Sequence, residues 1–146
     1  MADLYETDIL EWSENQGNLL RRHAAGERLN EAPDWPNIIE EIEDLGRSEW
    51  HAVETLLVQA MTHMLKGRSW PESREVPHWQ AEARAFRRQA RRKFTPSMRA
   101  KIDLTGLYDD AIAGVPTSID GQTPTPLPNA CPWKLDELLS RDEGLS

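Results

Sequence analysis

The chain has one cysteine, Cys131, in 146 residues. It can close no internal disulfide and build no cysteine metal cluster, so a reducing, cytoplasmic setting is expected. No apolar run approaches the roughly 20 residues needed to cross a bilayer. The opening "MADLYETDILEW" has no signal-peptide core, and no membrane association is expected. A Gly-rich phosphate loop, a His-Glu-x-x-His pair and a Gly-x-Ser-x-Gly elbow are all missing. One Glu-x-x-His spacing exists, "EVPH" at 75–78, but Pro77 interrupts the helix that a di-iron bundle site needs. Cys131 is followed by Pro132 and Trp133, with Lys134 the only base nearby, a poor setting for a catalytic thiolate. Neither a metal nor a cofactor is expected, and catalysis is a secondary reading.

Sustained period-two alternation is also absent; the apolar residues recur instead at helical spacing. From about Leu4 to Ala25, 100° steps place Tyr5, Ile9, Trp12, Leu20 and His23 on one stripe. "GERLNEAPDWP" at 26–36 is a linker ending in Asp34 as N-cap and Pro36 in the first turn. The second helix, about Pro36 to Lys66, carries Ile38, Ile42, Leu45, Val53, Leu56, Ala60 and Met64, widened by Ile39, Leu57 and Met61. Gly67 is read as its stop. A third helix starts near Pro77 with Trp79, Ala83, Phe86, Ala90 and Phe94, and Thr95-Pro96 opens a fourth that runs to about Ala113. The proline-rich stretch 114–131 cannot be helix or central strand and is read as an extended connector, with a short closing helix over 132–141. The expectation is one all-α domain, 1–146: a helical bundle of four main helices plus a short C-terminal helix after a proline-rich connector.

Charge is segregated. Residues 1–60 hold 14 acidic and 4 basic side chains, residues 61–101 hold 3 and 11, and residues 102–146 hold 8 and 2. Five acids crowd "EEIEDLGRSEW" at 40–50, but phase separates them. With Ile42 at zero, Val53, Ala60 and Glu49 lie within about 20°, whereas Glu40 and Asp44 point away. A lone carboxylate in an apolar core is costly, so an inward Glu49 demands partners. Gln16, central in the first stripe, and Arg87 or Lys93 of the third helix are the candidates. His63 lies on the edge of the same stripe, but 14 residues from Glu49, about 21 Å along the axis, so the two cannot touch. The candidate polar network is Gln16, Glu49, His63 and Arg87. In "ARAFRRQARRKF", Arg84, Arg88, Arg91 and Arg92 point away from Trp79 and Phe86. They form a candidate anion-binding stripe, for phosphates or for the acidic segments.

Several stretches resemble domain-of-unknown-function family 29. They are "YETDILEW" with Gln16, "DWPNIIEEIEDLGRSE", "HMLK" and "CPWKLDELL". By that resemblance the family-typical positions are Tyr5, Asp8, Trp12, Gln16, Glu40, Glu41, Gly46, Ser48, Glu49, His63, Lys66, Trp79, Arg87, Pro132 and Trp133. The chain departs from the family after Thr95, where "LTGL" replaces a longer Ala- and Glu-rich helix. The resemblance implies an all-helical bacterial protein and no particular activity. The first functional expectation is a small interaction or regulatory module with an unidentified protein partner or a homodimer. A ligand-binding protein or enzyme built on Glu49 and a nucleic-acid binder using the basic stripe are the alternatives.

Overall fold

The computed structural model describes residues 3–146. They are all-α: 62% of the chain is helical and no strand is formed. Six helices follow in order: α1 (Leu4–Thr7), α2 (Ile9–Ala24), α3 (Trp35–Ser69), α4 (Val76–Lys93), α5 (Leu104–Ala113) and α6 (Leu135–Leu138), with a 3-10 turn at Pro96–Met98. The sequence suggests one domain; backbone contacts group the chain into two compact units, Met1–Arg47 and Ser48–Ser146, divided within α3.

In the first unit the expected single helix from Leu4 is two. Asp3 caps α1 by accepting from the Tyr5 N–H at 3.2 Å. Asp8 then leaves the helical region and accepts from the Glu11 N–H at 3.1 Å, capping α2. An aspartate four residues into a helix competes with its own backbone, and here the cap wins. Gly26, with φ +79°, ends α2 in the left-handed conformation. Gly26 N–H reaches His23 O and Glu27 N–H reaches Arg22 O, the crossed pair that closes a helix C-terminus. Antiparallel order of α2 and the start of α3 follows from Tyr5 Oη donating to Glu41 at 2.6 Å and Trp12 Nε1 donating to Asp34 at 3.0 Å. Trp12, Leu19 and Ile38 are buried in this unit.

In the second unit, Val53, Leu57, Met61, Met64 and Leu65 of α3 meet Ala83 and Ala90 of α4 and Leu107, Tyr108 and Ala111 of α5. Gly67 does not stop α3, which runs to Ser69; buried Trp70 follows it. The fourth helix begins later than expected. Thr95-Pro96 opens only the 3-10 turn, which seats Met98 in the core, and extended Asp103 restarts the chain as α5. The connector turns at Asp120-Gly121, both with positive φ, between the paired residues Ile119 and Gln122. Three hydrogen bonds tie it down: Thr125 N–H to Ser69 O at 2.8 Å, Trp70 Nε1 to Gln122 O at 3.2 Å and Tyr108 Oη to Pro128 O at 2.5 Å. The closing helix is shorter than 132–141. It is the single turn α6, with the Glu137 side chain accepting from the Lys134 N–H at 2.9 Å.

Two predictions come from the first unit. A Cβ on Gly46, mid-helix in α3, would meet no atom within 4 Å, so Gly46→Ala should raise unfolding stability by about 1 kcal/mol in a urea titration. The Tyr5 phenol is pushed up to about 12 from 10.0, first by its bond to Glu41, then by burial and the charges of Glu41, Asp44 and Glu40. A raised pKa means the contribution is intact below pH 10 and is lost as pH rises through about 12. Helicity followed by circular dichroism over that range should fall more steeply for the native chain than for Tyr5→Phe.

Candidate functional site

Arg87 is the centre of the second unit's polar chemistry. It sits on α4 one turn after Ala83 and one before Ala90, both buried, so small neighbours leave room for a long side chain along the core. It is 3% exposed. Nε donates to Leu138 O at 2.9 Å and Nη1 to Asp142 O at 2.7 Å; Nη2 donates to Glu137 O at 2.9 Å and Ser140 O at 3.1 Å. Two of the acceptors, Glu137 O and Leu138 O, end the single-turn helix α6, and two, Ser140 O and Asp142 O, belong to the non-helical segment after it. The planar fork of an arginine satisfies several at once. Burial pulls the guanidinium below the ordinary arginine range; Asp142 and Glu143 oppose that shift and Arg91 adds to it. Its charge is met by neutral carbonyls, with no ion pair to it among the described residues.

The basic stripe is not a free face. Arg84 Nε and Arg88 Nη2 each lie 3.4 Å from the Glu143 carboxylate, and Arg91 Nη1 donates to Ser140 O at 2.8 Å. Arg92 alone of the four is exposed without an ion pair or side-chain hydrogen bond among the described residues. Of the acidic segments that could meet the stripe, the C-terminal one supplies the observed partners, Ser140 and Glu143. His63 Nδ1 bonds Gln59 O at 2.8 Å and its ring lies 5.4 Å from that of Phe86. That bond puts the proton of a neutral imidazole on Nδ1 and leaves Nε2 as the open ring nitrogen. His63, Arg84 and Arg87 line one cleft of about 480 Å³, together with Arg68 at the end of α3 and Glu143. Arg68 donates to Ser146 O at 2.7 Å and lies 5.0 Å over the Trp133 ring.

Two members of the expected network are placed elsewhere. Glu49 is exposed, with no hydrogen bond or ion pair among the described residues. Its phase on α3 is that of the stripe, but its side chain meets solvent. Gln16 accepts from the Asp34 N–H at 2.7 Å. Asp34 in turn accepts from Trp12 Nε1 and from Asn37 Nδ2 at 2.8 Å, and those bonds hold its carboxyl below the usual range, Asn37 first. Gln16 therefore serves the start of α3 within the first unit. Sequence reasoning missed Arg68 and the carbonyls of 137–142. Their signal was the small residues flanking Arg87 and the polar "SRDEG" after the last leucines.

The first unit presents a different feature. Ile9, Leu10, Trp35, Ile39, Ile42 and Leu45 are exposed, Ile42 at 66% and Leu45 at 70%. Ile42 and Leu45 were expected in the core. By 100° steps Ile39 and Ile42 share the phase of Leu57 and Ala60, which are fully buried. Ile39 and Ile42, three residues apart, lie next to each other on the surface of α3. Acids surround this face. Residues 1–47 hold 12 acidic and 4 basic side chains, a net −8 that equals that of the whole chain. Arg47 is occupied by Glu40, Glu43 and Asp44, and Arg22 by Glu27.

Replacing Arg87 by methionine removes the donors to four main-chain oxygens and should cost about 3 kcal/mol of unfolding free energy. Arg87→Lys, a point charge with three donors, should restore less than half of it. Limited proteolysis should show residues 134–146 becoming cleavable in both variants; unchanged resistance in Arg87→Met would refute the clamp.

The comparisons with known proteins agree with this fold. The model of the family described as domain of unknown function DUF29 matches residues 4–142. A crystal structure of an alpha-helical protein of unknown function from Rhodospirillum rubrum is similar at 25% sequence identity. The match covers 98% of this chain and 93% of that one, with a TM-score of 0.64. None of the curated proteins matches. Among the described residues no helix is long and apolar enough to cross a membrane. With its matched segment running from α1 to beyond α6, the chain belongs to the DUF29 family.

Proposed function

We propose that the chain is a protein-interaction module whose first unit seats a cationic amphipathic helix of a partner protein. The uncovered apolar side chains of Ile39, Ile42 and Leu45 on α3 carry this reading. Exposed apolar side chains gathered on one helix mark a binding surface, and helix-in-groove docking uses anchors at this spacing. Charge selects the partner. A unit of net −8 whose arginines at 22 and 47 are already paired attracts a basic segment and disfavours a like-charged one. A second copy is the poorer occupant, because an isologous contact would oppose two such units. The single cysteine and the source of the similar crystal structure support a bacterial cytoplasmic setting.

The test uses a labelled Lys/Leu peptide of about 18 residues with leucines at helical spacing, and the same peptide with Glu for Lys. Fluorescence anisotropy should show binding of the basic peptide only. Ile42→Asp should weaken it at least about tenfold, and added salt should weaken it further. Equal affinity for the two peptides, or no effect of Ile42→Asp, would reject the reading. A dimer in sedimentation that Ile42→Asp dissolves would replace the partner with a second copy.

A further inference from the structure

We propose that the cleft between the end of α3 and the start of α4 binds a small organic anion, a carboxylate on a short apolar body, and that Glu143 is a resident competitor for it. The cleft encloses about 480 Å³ within the second unit, ample for a molecule of a few carbon atoms, and is independent of the docking face on the first. Its lining includes Arg68, Arg84 and Arg87 against one carboxylate, Glu143. Arg87 is buried and bonded to neutral oxygens, four carbonyls and the Ser140 hydroxyl, with no ion pair to it among the described residues. Positive charge in a concave, partly dry site concentrates anions.

Glu143 shows where such an anion would sit. It lies between Arg84 and Arg88 at 3.4 Å from each, and both it and its partners are largely solvent-exposed. These are long contacts for a charge-assisted bond, and exposed pairs of this kind contribute little. The side chain is therefore easily displaced by a carboxylate that approaches Arg84 with its fork aligned. Arg84 and the amide of Gln80 are the donors the lining offers; Arg68 keeps its bond to Ser146 O and adds field. Met64, Val76 and Ala83 line the same cleft and provide contact for an apolar body, which inorganic phosphate lacks. A few convergent polar groups over an apolar wall is the usual construction of a ligand site.

The probes are hexanoate, hexanamide and inorganic phosphate, each titrated calorimetrically into the full chain and into Arg84→Met, Arg84→Lys and Glu143→Gln. Hexanoate should bind best. Hexanamide, of nearly the same shape but uncharged, and phosphate should each bind at least about tenfold more weakly. Arg84→Met should lose hexanoate, while Arg84→Lys keeps part of the affinity. Glu143→Gln should tighten it several-fold by removing the competitor, an effect that a merely structural Glu143 would not produce. Thermal melts of each variant separate lost binding from lost folding. Hexanamide binding as well as hexanoate, phosphate binding as well as hexanoate, weaker binding in Glu143→Gln, or no heat from hexanoate with either the native chain or Glu143→Gln would each overturn the proposal.

Discussion

The second unit is organised around a buried guanidinium with no ion pair among the described residues. Arg87 is inside, and what makes that tolerable is the set of carbonyl oxygens offered by residues 137–142. Neither side is stable alone. A single-turn helix such as α6 cannot satisfy its own carbonyls, and a buried arginine cannot do without acceptors. Each supplies the other's missing partners, so the last segment is held to α4 by hydrogen bonds along its backbone as well as by Trp133 and Leu138 in the core. Main-chain recognition explains why the segment itself can be polar: Ser140 and Asp142 contribute main-chain oxygens to Arg87, and Glu143 turns its carboxylate to Arg84 and Arg88.

The same arrangement redistributes the basic helix. Arg84, Arg88 and Arg91 lie around Arg87 and extend its hold on residues 137–143. With 13 acidic and 13 basic side chains, residues 48–146 are neutral, and the whole net charge falls on the first unit. The acidic unit is also where large apolar side chains are uncovered. Exposed apolar side chains and the net negative charge thus fall within the same unit, the combination on which the proposed docking rests. In the second unit, apolar side chains are in the core and positive charge is gathered in a cleft. The two units therefore differ in the chemistry they can recognise.

Membership of the DUF29 family fits this division of roles. Of the residues that carry the resemblance, Arg87 and Trp133 build the second unit's clamp. Tyr5, Trp12, Gln16 and Glu41 tie α1 and α2 to the start of α3. Most of these positions therefore have a structural task that is visible in hydrogen bonds. Glu49 and His63 have none of comparable weight: one is exposed, and the other keeps an open Nε2 at the cleft.

The four long helices, their order and most of the breaks were legible in the sequence, because proline, glycine and period-3.6 patterning act locally. The exceptions were also local: Asp8 and Asp103 restart helices by leaving the helical region, a competition that propensity does not decide. Burial is different in kind. Val53, Glu49, Ile42 and Ala60 share one phase on α3, yet Val53 and Ala60 are fully buried while Ile42 and Glu49 are exposed. Phase belongs to one helix, whereas coverage depends on which other segment reaches that level, and no spacing rule encodes it. For the same reason Arg87, read from sequence as flanking its stripe, became the buried centre once residues 137–142 arrived with their carbonyls. The sequence determined an all-α chain and the direction each side chain faces; only the tertiary structure decided which of those faces meet protein and which meet water.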